Sequence, residues 1–151
     1  MSEDATHTWD GLPMAKEPPF GASVVVFRRG RSGIEILMLH RSHNGPDYEG
    51  DWAWTPPSGG RQPGEAVETC ARRELAEEAG LHLDVRATDI DLTTWAVYVA
   101  EVHPDTTVEL TDPEHDRYRW LTPAAALACC APEHVRLSLQ RAIGQILALQ
   151  P

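Results

Sequence analysis

The sequence predicts an α/β domain, a mixed sheet with helices on both faces, and three observations carry that prediction. Stretches dense in β-branched residues or alternating with period two recur at Gly21 to Arg28, Ile34 to His40 and Thr93 to Val102. Between them a charged stretch is bracketed by Pro63-Gly64 and Gly80 at helical length, and a late segment repeats apolar residues at intervals of three and four. Strands interleaved with helices point to layers sharing one sheet rather than to separate α and β regions.

Taken in order, residues 1–19 are polar and acidic, contain Pro13, Pro18 and Pro19, and read as an extended arm ahead of a single domain over 20–151. Gly21 to Arg28 and Ile34 to His40 read as strands joined by the turn Arg29-Gly30-Arg31-Ser32-Gly33. Arg41 to Asp51, rich in Gly, Asn, Asp and Pro, is a loop. Trp52-Ala53-Trp54 leads from it into Thr55-Pro56-Pro57, where paired prolines force an extended approach. Glu65 places a carboxylate at a helix N-terminus and Gly80 supplies the stop, which predicts one helix from Glu65 to Ala79. Leu83 to Ala87 and Thr93 to Val102 are further strands, the second alternating Trp95, Val97 and Val99 with Ala96, Tyr98 and Ala100. Arg117 to Leu121 is a short strand before Thr122, which caps, and Pro123, which opens a helix through the following alanines. The last helix runs from about Glu133 to Leu149, with a stripe of Val135, Leu139, Ala142, Ile146 and Leu149 that suits packing on a sheet. The stripe falls short of a coiled coil, and monomer and homodimer both stay open.

At 151 residues the chain is expected to form one core and to leave no room for a regulatory domain. A net charge of −10 with a single lysine, Lys16, excludes the basic surface that nucleic-acid binding needs. Cys70 and the adjacent Cys129 and Cys130 have neither disulfide nor metal-ligand spacing, which suits a reduced, cytoplasmic protein. No basic start followed by an apolar run, and no stretch of membrane-spanning length, argues for a signal peptide or an anchor.

The charged helix carries the chemistry. Glu74, Glu77 and Glu78 stand at i, i+3 and i+4, on one side of the cylinder. With Val67 at the wheel's origin, Ala71, Glu74 and Glu78 lie within roughly 40° and Cys70 and Glu77 within roughly 80°. The three carboxylates are therefore expected on the buried side, with Glu68, Arg72 and Ala76 facing water. Carboxylates beside an apolar stripe cost several kcal/mol each unless paired, so a divalent cation is their natural partner. Oxygen donors without His or Cys suit Mg²⁺ or Mn²⁺. Arg73 cannot bind a cation; it either pairs with Glu65 or a neighbouring carboxylate, or is an ordinary surface arginine.

Written as a pattern, the stretch is Gly59, five residues, Glu65, seven residues, Arg73-Glu74-Leu75, one residue, Glu77-Glu78, one residue, Gly80-Leu81. That is the full pattern of the Nudix box, and the chain resembles a MutT-like Nudix hydrolase. The resemblance implies the Nudix fold, an α/β/α sandwich around a mixed β-sheet. Short blocks outside the box are similar to the diadenosine-tetraphosphate hydrolases of that family: Val26-Phe27-Arg28-Arg29, Ile34-Glu35-Ile36-Leu37, Trp54-Thr55-Pro56-Pro57, Ala100-Glu101-Val102, Glu114-His115 and Tyr118-Arg119-Trp120-Leu121. Together they cover most of residues 22–149. Departures from that subfamily are a short segment between Leu81 and Thr93, Gln62 where many members carry glutamate, and Ser58 where dinucleoside enzymes tend to have lysine.

By resemblance, Glu74 and Glu78 are expected as direct metal ligands, with Glu77 and the Gly59 carbonyl as further candidates. Glu77, Glu78 or Glu114 would orient or deprotonate the attacking water, and spacing does not choose among them. Glu114 is equally readable as an exposed residue of an acidic turn. Glu65, Arg73 and Gly80 are the structural members of the box. The implied reaction is Mg²⁺-dependent hydrolysis of a pyrophosphate link in a nucleoside diphosphate joined to another group, such as Ap4A. A nucleoside-triphosphate pyrophosphohydrolase of the MutT type, or a nucleotide-binding module without turnover, are the alternatives. For the small-molecule nucleotide, the phosphate candidates are Arg28, Arg41 and Arg61, and the base candidates are Trp54, Trp95, Tyr98 and Tyr118, aromatic positions that would serve equally well as core.

Overall fold

The computed structural model describes residues 13–90 and 94–149. In chain order its elements are β1 (Gly21–Gly30), β2 (Gly33–Arg41), β3 (Trp54–Thr55), β4 (Ser58–Gly60), α1 (Val67–Ala79), β5 (Arg86–Ala87), β6 (Trp95–Glu101), β7 (His115–Leu121), α2 (Pro123–Cys129) and α3 (Glu133–Ala148). Among the described residues the strands form one seven-stranded sheet, ordered β3-β2-β1-β6-β5, with β4 on β1 and β7 on β2. β1 and β6 run parallel while the other pairs are antiparallel, so the sheet is mixed as expected.

Period-two alternation sorts the core onto two faces. Ala22, Val24 and Val26 of β1, Leu37 and Leu39 of β2, and Tyr98 and Ala100 of β6 meet Cys70, Ala71, Leu75 and Ala79 of α1. The intervening residues Val25, Phe27, Ile36, Met38, Val97 and Val99 meet Ala126 of α2 and Leu139, Ala142, Ile143 and Ile146 of α3. Both faces are covered, which is why the central strands read as nearly continuous apolar runs. Each fully buried Val, Leu or Ile contributes roughly 1.5–3 kcal/mol, and removing either helix layer would expose one of these faces.

The expected α/β/α layering is present, with differences at element ends. α1 begins at Val67 rather than Glu65, because Ala66 is the extended N-cap (ψ 148°) and the Glu65 carboxylate accepts from the Gln62 amide at 3.0 Å, holding the turn ahead of the helix. Gly80 ends the helix in the left-handed region at φ 67°, its amide donating to the Ala76 carbonyl. Leu83 to Val85 are not strand: the Leu83 carbonyl accepts from Arg72, and only Arg86 and Ala87 pair with β6. β4 is a strand of two glycines and a serine, held in the sheet by pairing with β1 and invisible to β propensity. Thr122 caps α2 by accepting from the Ala125 amide at 3.2 Å, with Pro123 at its start.

Of the arm expected over 1–19, residues 1–12 lie outside the described ones, as do Thr93 and the end of the domain at 150–151. Residues 13–20 run beside Arg61, the Ala15 amide donating to the Arg61 carbonyl and the Arg61 amide to Phe20. No helix among the described residues is long and apolar enough to cross a membrane.

Candidate active site

α1 lies across β1 and β4, and the narrowness of that contact places its carboxylates. Gly59 faces Glu74: a Cβ on Gly59 would stand 2.2 Å from Glu74 Cδ, so only glycine admits the Glu74 carboxyl there. The Gly59 carbonyl is turned to α1, with Cys70 Sγ 3.7 Å away. The next residue back, Ser58, donates its amide to Glu78 Oε1 at 2.9 Å. Glu74 is 8% exposed and Glu78 1%. The other oxygen of Glu78, Oε2, is buried and receives no donor among the described residues.

Burying two carboxyl groups together raises both pKa values. Glu74 is pushed up to about 7, chiefly by burial and against the pull of Arg73. Glu78 is raised well above the usual carboxylate range by burial first, then by the charges of Glu74 and Glu114, with the Ser58 amide opposing. Two neighbouring carboxyls in this state relieve one another by sharing a proton or by binding a cation, and the donor-free Oε2 is open to either. The wheel's expectation for the third glutamate is corrected here. Glu77 sits on the flank of α1 with its side chain 53% exposed, because the sheet edge covers only the Cys70-Glu74-Glu78 side.

Arg73 ties the helix to its approach. Nε and Nη2 make a forked pair with Glu65 at 2.7 and 2.9 Å, Nη2 also donates to the Gly60 carbonyl at 2.9 Å, and Nη1 reaches Glu74 at 2.8 Å and Glu77 at 3.3 Å. This guanidinium joins β4, the pre-helix turn and two carboxylates of α1. The hydrogen bond from Arg73 is the main reason that the Glu65 carboxyl titrates below its usual range.

A second group of acids arrives from the loop before β7. Thr111 Oγ1 donates to the Glu77 carbonyl at 2.6 Å and the Glu109 amide to that of Ala79 at 3.0 Å, docking this loop on the end of α1. Ser42 secures it from the other side, its amide and Oγ donating to the Glu114 carbonyl and Oγ also to that of Pro113. Glu78, Asp112, Glu114 and His115 are thereby gathered, with one ligand atom from each inside 4.8 Å of the others. His115 is buried at the start of β7, where burial and the nearby Arg41 charge pull its pKa down to about 4. Neither Asp112, in the loop with Glu114, nor His115, at the start of β7, is marked as a site residue by the sequence, where His115 stands only in the Glu114-His115 block; their relation to Glu78 is made by the fold.

The expected substrate contacts divide. Arg61 is buried with its guanidinium donating to the carbonyls of Glu17, Pro19 and Glu65, so it fastens the residues before β1 and has no face toward a ligand. Arg28 pairs with Glu35 at 2.7 Å and stacks 4.4 Å from Trp120. Trp54 is core, its indole N–H donating to Glu49, and Tyr98 is core beneath α1. Tyr118 is exposed on β7. Arg41 and Trp95, by contrast, line a cavity of about 270 Å³ together with Ser23, Trp52, Ser58 and Leu139. In its wall Trp95 donates to Ser23 Oγ at 2.9 Å, and Arg41 sits 5.6 Å from the Trp52 ring with a buried Nε that has no hydrogen-bond partner among the described residues. Trp52 itself holds φ 68°, a left-handed conformation that costs a non-glycine residue roughly 1 kcal/mol or more. Ser58 belongs to both places, its amide on Glu78 and its side of the strand on the cavity.

The model of the NUDIX domain family matches residues 17–140. The asymmetrical bis(5'-nucleosyl)-tetraphosphatase of Sus scrofa is 32% identical, over 65% of this chain and 75% of that protein. An RNA pyrophosphohydrolase of Dinoroseobacter shibae is 28% identical, over 61% and 74%. Among solved structures, a C. elegans Ap4A hydrolase binary complex superposes with a TM-score of 0.66 at 26% identity, covering 85% of this chain and 98% of that one.

Proposed function

This chain belongs to the NUDIX domain family and is a hydrolase of nucleotide pyrophosphate bonds; on that premise we propose that it cleaves a dinucleoside polyphosphate of the Ap4A kind with the help of Mg²⁺ or Mn²⁺. The observation that carries the chemistry is the buried pair Glu74 and Glu78, with Glu78 Oε2 free of any donor among the described residues and the Glu74 carboxyl packed where only a glycine at position 59 leaves room for it. The donors fit the ion: two carboxylates and a backbone oxygen are hard ligands of the kind Mg²⁺ takes. Bound there, the ion would neutralise phosphate oxygens and acidify a water.

The chain's own residues do the rest. Glu74 and Glu78 hold the charge, and the Ser58 amide keeps Glu78 in place through Oε1. Arg73, bonded to Glu65 and Glu74, positions the ligand carboxylate without touching substrate. Glu114, clamped by Ser42 and gathered with Glu78, is the base that holds the water and takes its proton. Glu77 is the weaker candidate because Arg73 already pairs with it at the exposed flank. Of the phosphate and base candidates, Arg41 and Trp95 are the ones that share a cavity with Ser58, and that cavity is the nucleotide's place in this reading. Likeness to two tetraphosphate hydrolases, one curated and one solved, supports the substrate class.

The test is a screen of Ap4A, ADP-ribose, nucleotide sugars and (d)NTPs with the full chain in Mg²⁺, products separated by ion-exchange chromatography. ATP plus AMP from Ap4A, at the highest kcat/KM in the panel, is the expected outcome. Faster release of pyrophosphate from a (d)NTP would replace the substrate assignment by the triphosphate one. Tight binding without any cleavage would overturn the enzymatic reading itself.

A further inference from the structure

Glu78 has a second set of neighbours that the hydrolytic reading does not use fully. One ligand atom from each of Glu78, Asp112, Glu114 and His115 lies within 4.8 Å of the others. Acidic clusters are common without an ion, and burial is what separates this one. Glu78 Oε2 and His115 Nδ1 are both out of contact with solvent and have no hydrogen-bond partner among the described residues. The His115 side chain is 2% exposed, and Asp112 Oδ1 stands 3.7 Å from Nδ1, beyond hydrogen-bond reach. A buried polar atom without a partner is costly, and here two of them, one nitrogen and one oxygen, belong to the same small cluster. A cation between them satisfies both at once.

The donor set says which cation. Mg²⁺ is served by oxygen and keeps its waters, whereas imidazole suits first-row transition ions. We propose that Glu78, Asp112 and His115 form a nitrogen-containing site for a divalent transition-metal ion such as Mn²⁺, Co²⁺ or Zn²⁺, neighbouring the all-oxygen position at Glu74 and Gly59 and sharing Glu78 with it. Glu114, the remaining member of the cluster, would be close enough to hold a water on such an ion. The loop is held for the purpose on both sides, by Thr111 on the Glu77 carbonyl and by Ser42 on the carbonyls of Pro113 and Glu114. Imidazole Nδ1 is the ligating atom because it is the one His115 turns to Asp112. The proposal rests on the reading of Glu78 as a cation-facing carboxylate and adds a nitrogen ligand to it.

Pulsed EPR of the full chain with one equivalent of Mn²⁺ tests this directly, since a bound imidazole imprints ¹⁴N modulation on the echo. Modulation is expected in the wild type and in Glu74→Gln, and its loss in His115→Gln, with Mn²⁺ affinity falling by roughly tenfold or more. A wild-type spectrum without nitrogen coupling, or coupling that survives in His115→Gln, overturns the proposal. Should that variant fail to fold, ¹⁵N-histidine-labelled wild type decides: the His115 Nδ1 resonance shifts with Zn²⁺ and not with Mg²⁺, and an unmoved resonance refutes the site. Neither readout involves turnover. A chain that cleaves Ap4A in Mg²⁺ but shows no nitrogen coupling keeps the proposed function and loses this site, and the reverse result keeps the site and removes the substrate.

Discussion

Glu78→Gln is expected to raise the stability of the metal-free protein while abolishing most of its turnover. The residue is 1% exposed, accepts one hydrogen bond from the Ser58 amide at 2.9 Å, and has Glu74, Glu114 and Asp112 as charged neighbours. Ionised in that setting it costs several kcal/mol, of which proton sharing with Glu74 returns a part. Glutamine keeps an oxygen for the Ser58 amide, offers an amide donor to the neighbouring acids and carries no charge. The net gain at pH 8 in a chelator is roughly 1–3 kcal/mol, or about 3–8 °C in Tm for a domain of this size. Mg²⁺ at a hundred times its Kd stabilises the wild type by about 2.7 kcal/mol and the variant by less, since a ligand is gone. The gap in melting temperature therefore closes or reverses when chelator is replaced by Mg²⁺, and turnover falls by roughly 10²-fold or more. Thermal melts followed by circular dichroism in both buffers, together with kcat, read all three effects. A variant that melts below the wild type in chelator, gains as much from Mg²⁺, or turns over near the normal rate would refute the reasoning.

Gly59→Ala drives a methyl to within 2.2 Å of Glu74 Cδ, so the carboxyl must swing away; calorimetry should show Mg²⁺ affinity down by roughly tenfold with the circular-dichroism spectrum kept. Arg73→Lys retains a charge but not the fork that joins Glu65, Gly60 and Glu74, and urea unfolding should register a loss of roughly 2 kcal/mol, against less than 0.5 kcal/mol were the arginine a surface residue. Because Glu74 is raised from 4.5 to about 7, the metal-free wild type loses stability relative to Glu74→Gln as pH climbs through that window and holds level above it. Mg²⁺ binding strengthens over the same window as the proton is displaced, so a pH-independent affinity between 5 and 8 would contradict the burial account. Arg41→Ala, which opens the cavity wall beside Trp52, should raise KM for the nucleotide by about tenfold while kcat moves little; an unchanged KM would take the cavity out of substrate binding.

How much of this was legible in the sequence follows from the range over which each feature is set. The helix stop at Gly80, the Thr122 cap and the period-two strands are local, and their residues say so by type and spacing. The i, i+3, i+4 glutamates and their arginine are local as well, which is why an acidic helix stripe suited to a cation could be read before any fold was known. A wheel gives direction but not depth. That Glu74 and Glu78 are covered while Glu77 is not depends on where β4 crosses α1, and β4 is a Gly-rich strand with no signal of its own. The approach of Asp112 and His115 to Glu78 spans more than thirty positions and is made by Thr111 on one side and Ser42 on the other. Likewise Arg41, Trp52 and Trp95 become one cavity, and Trp54 and Tyr98 become core, only through the pairing of β1 with β6 and β2 with β3. The sequence by itself determined the candidate carboxylates, because one helix carries them at its own period. The tertiary structure decided which of them are buried, what joins them from the β7 loop and where a nucleotide would lie, because desolvation and long-range convergence exist only once the sheet has closed around them.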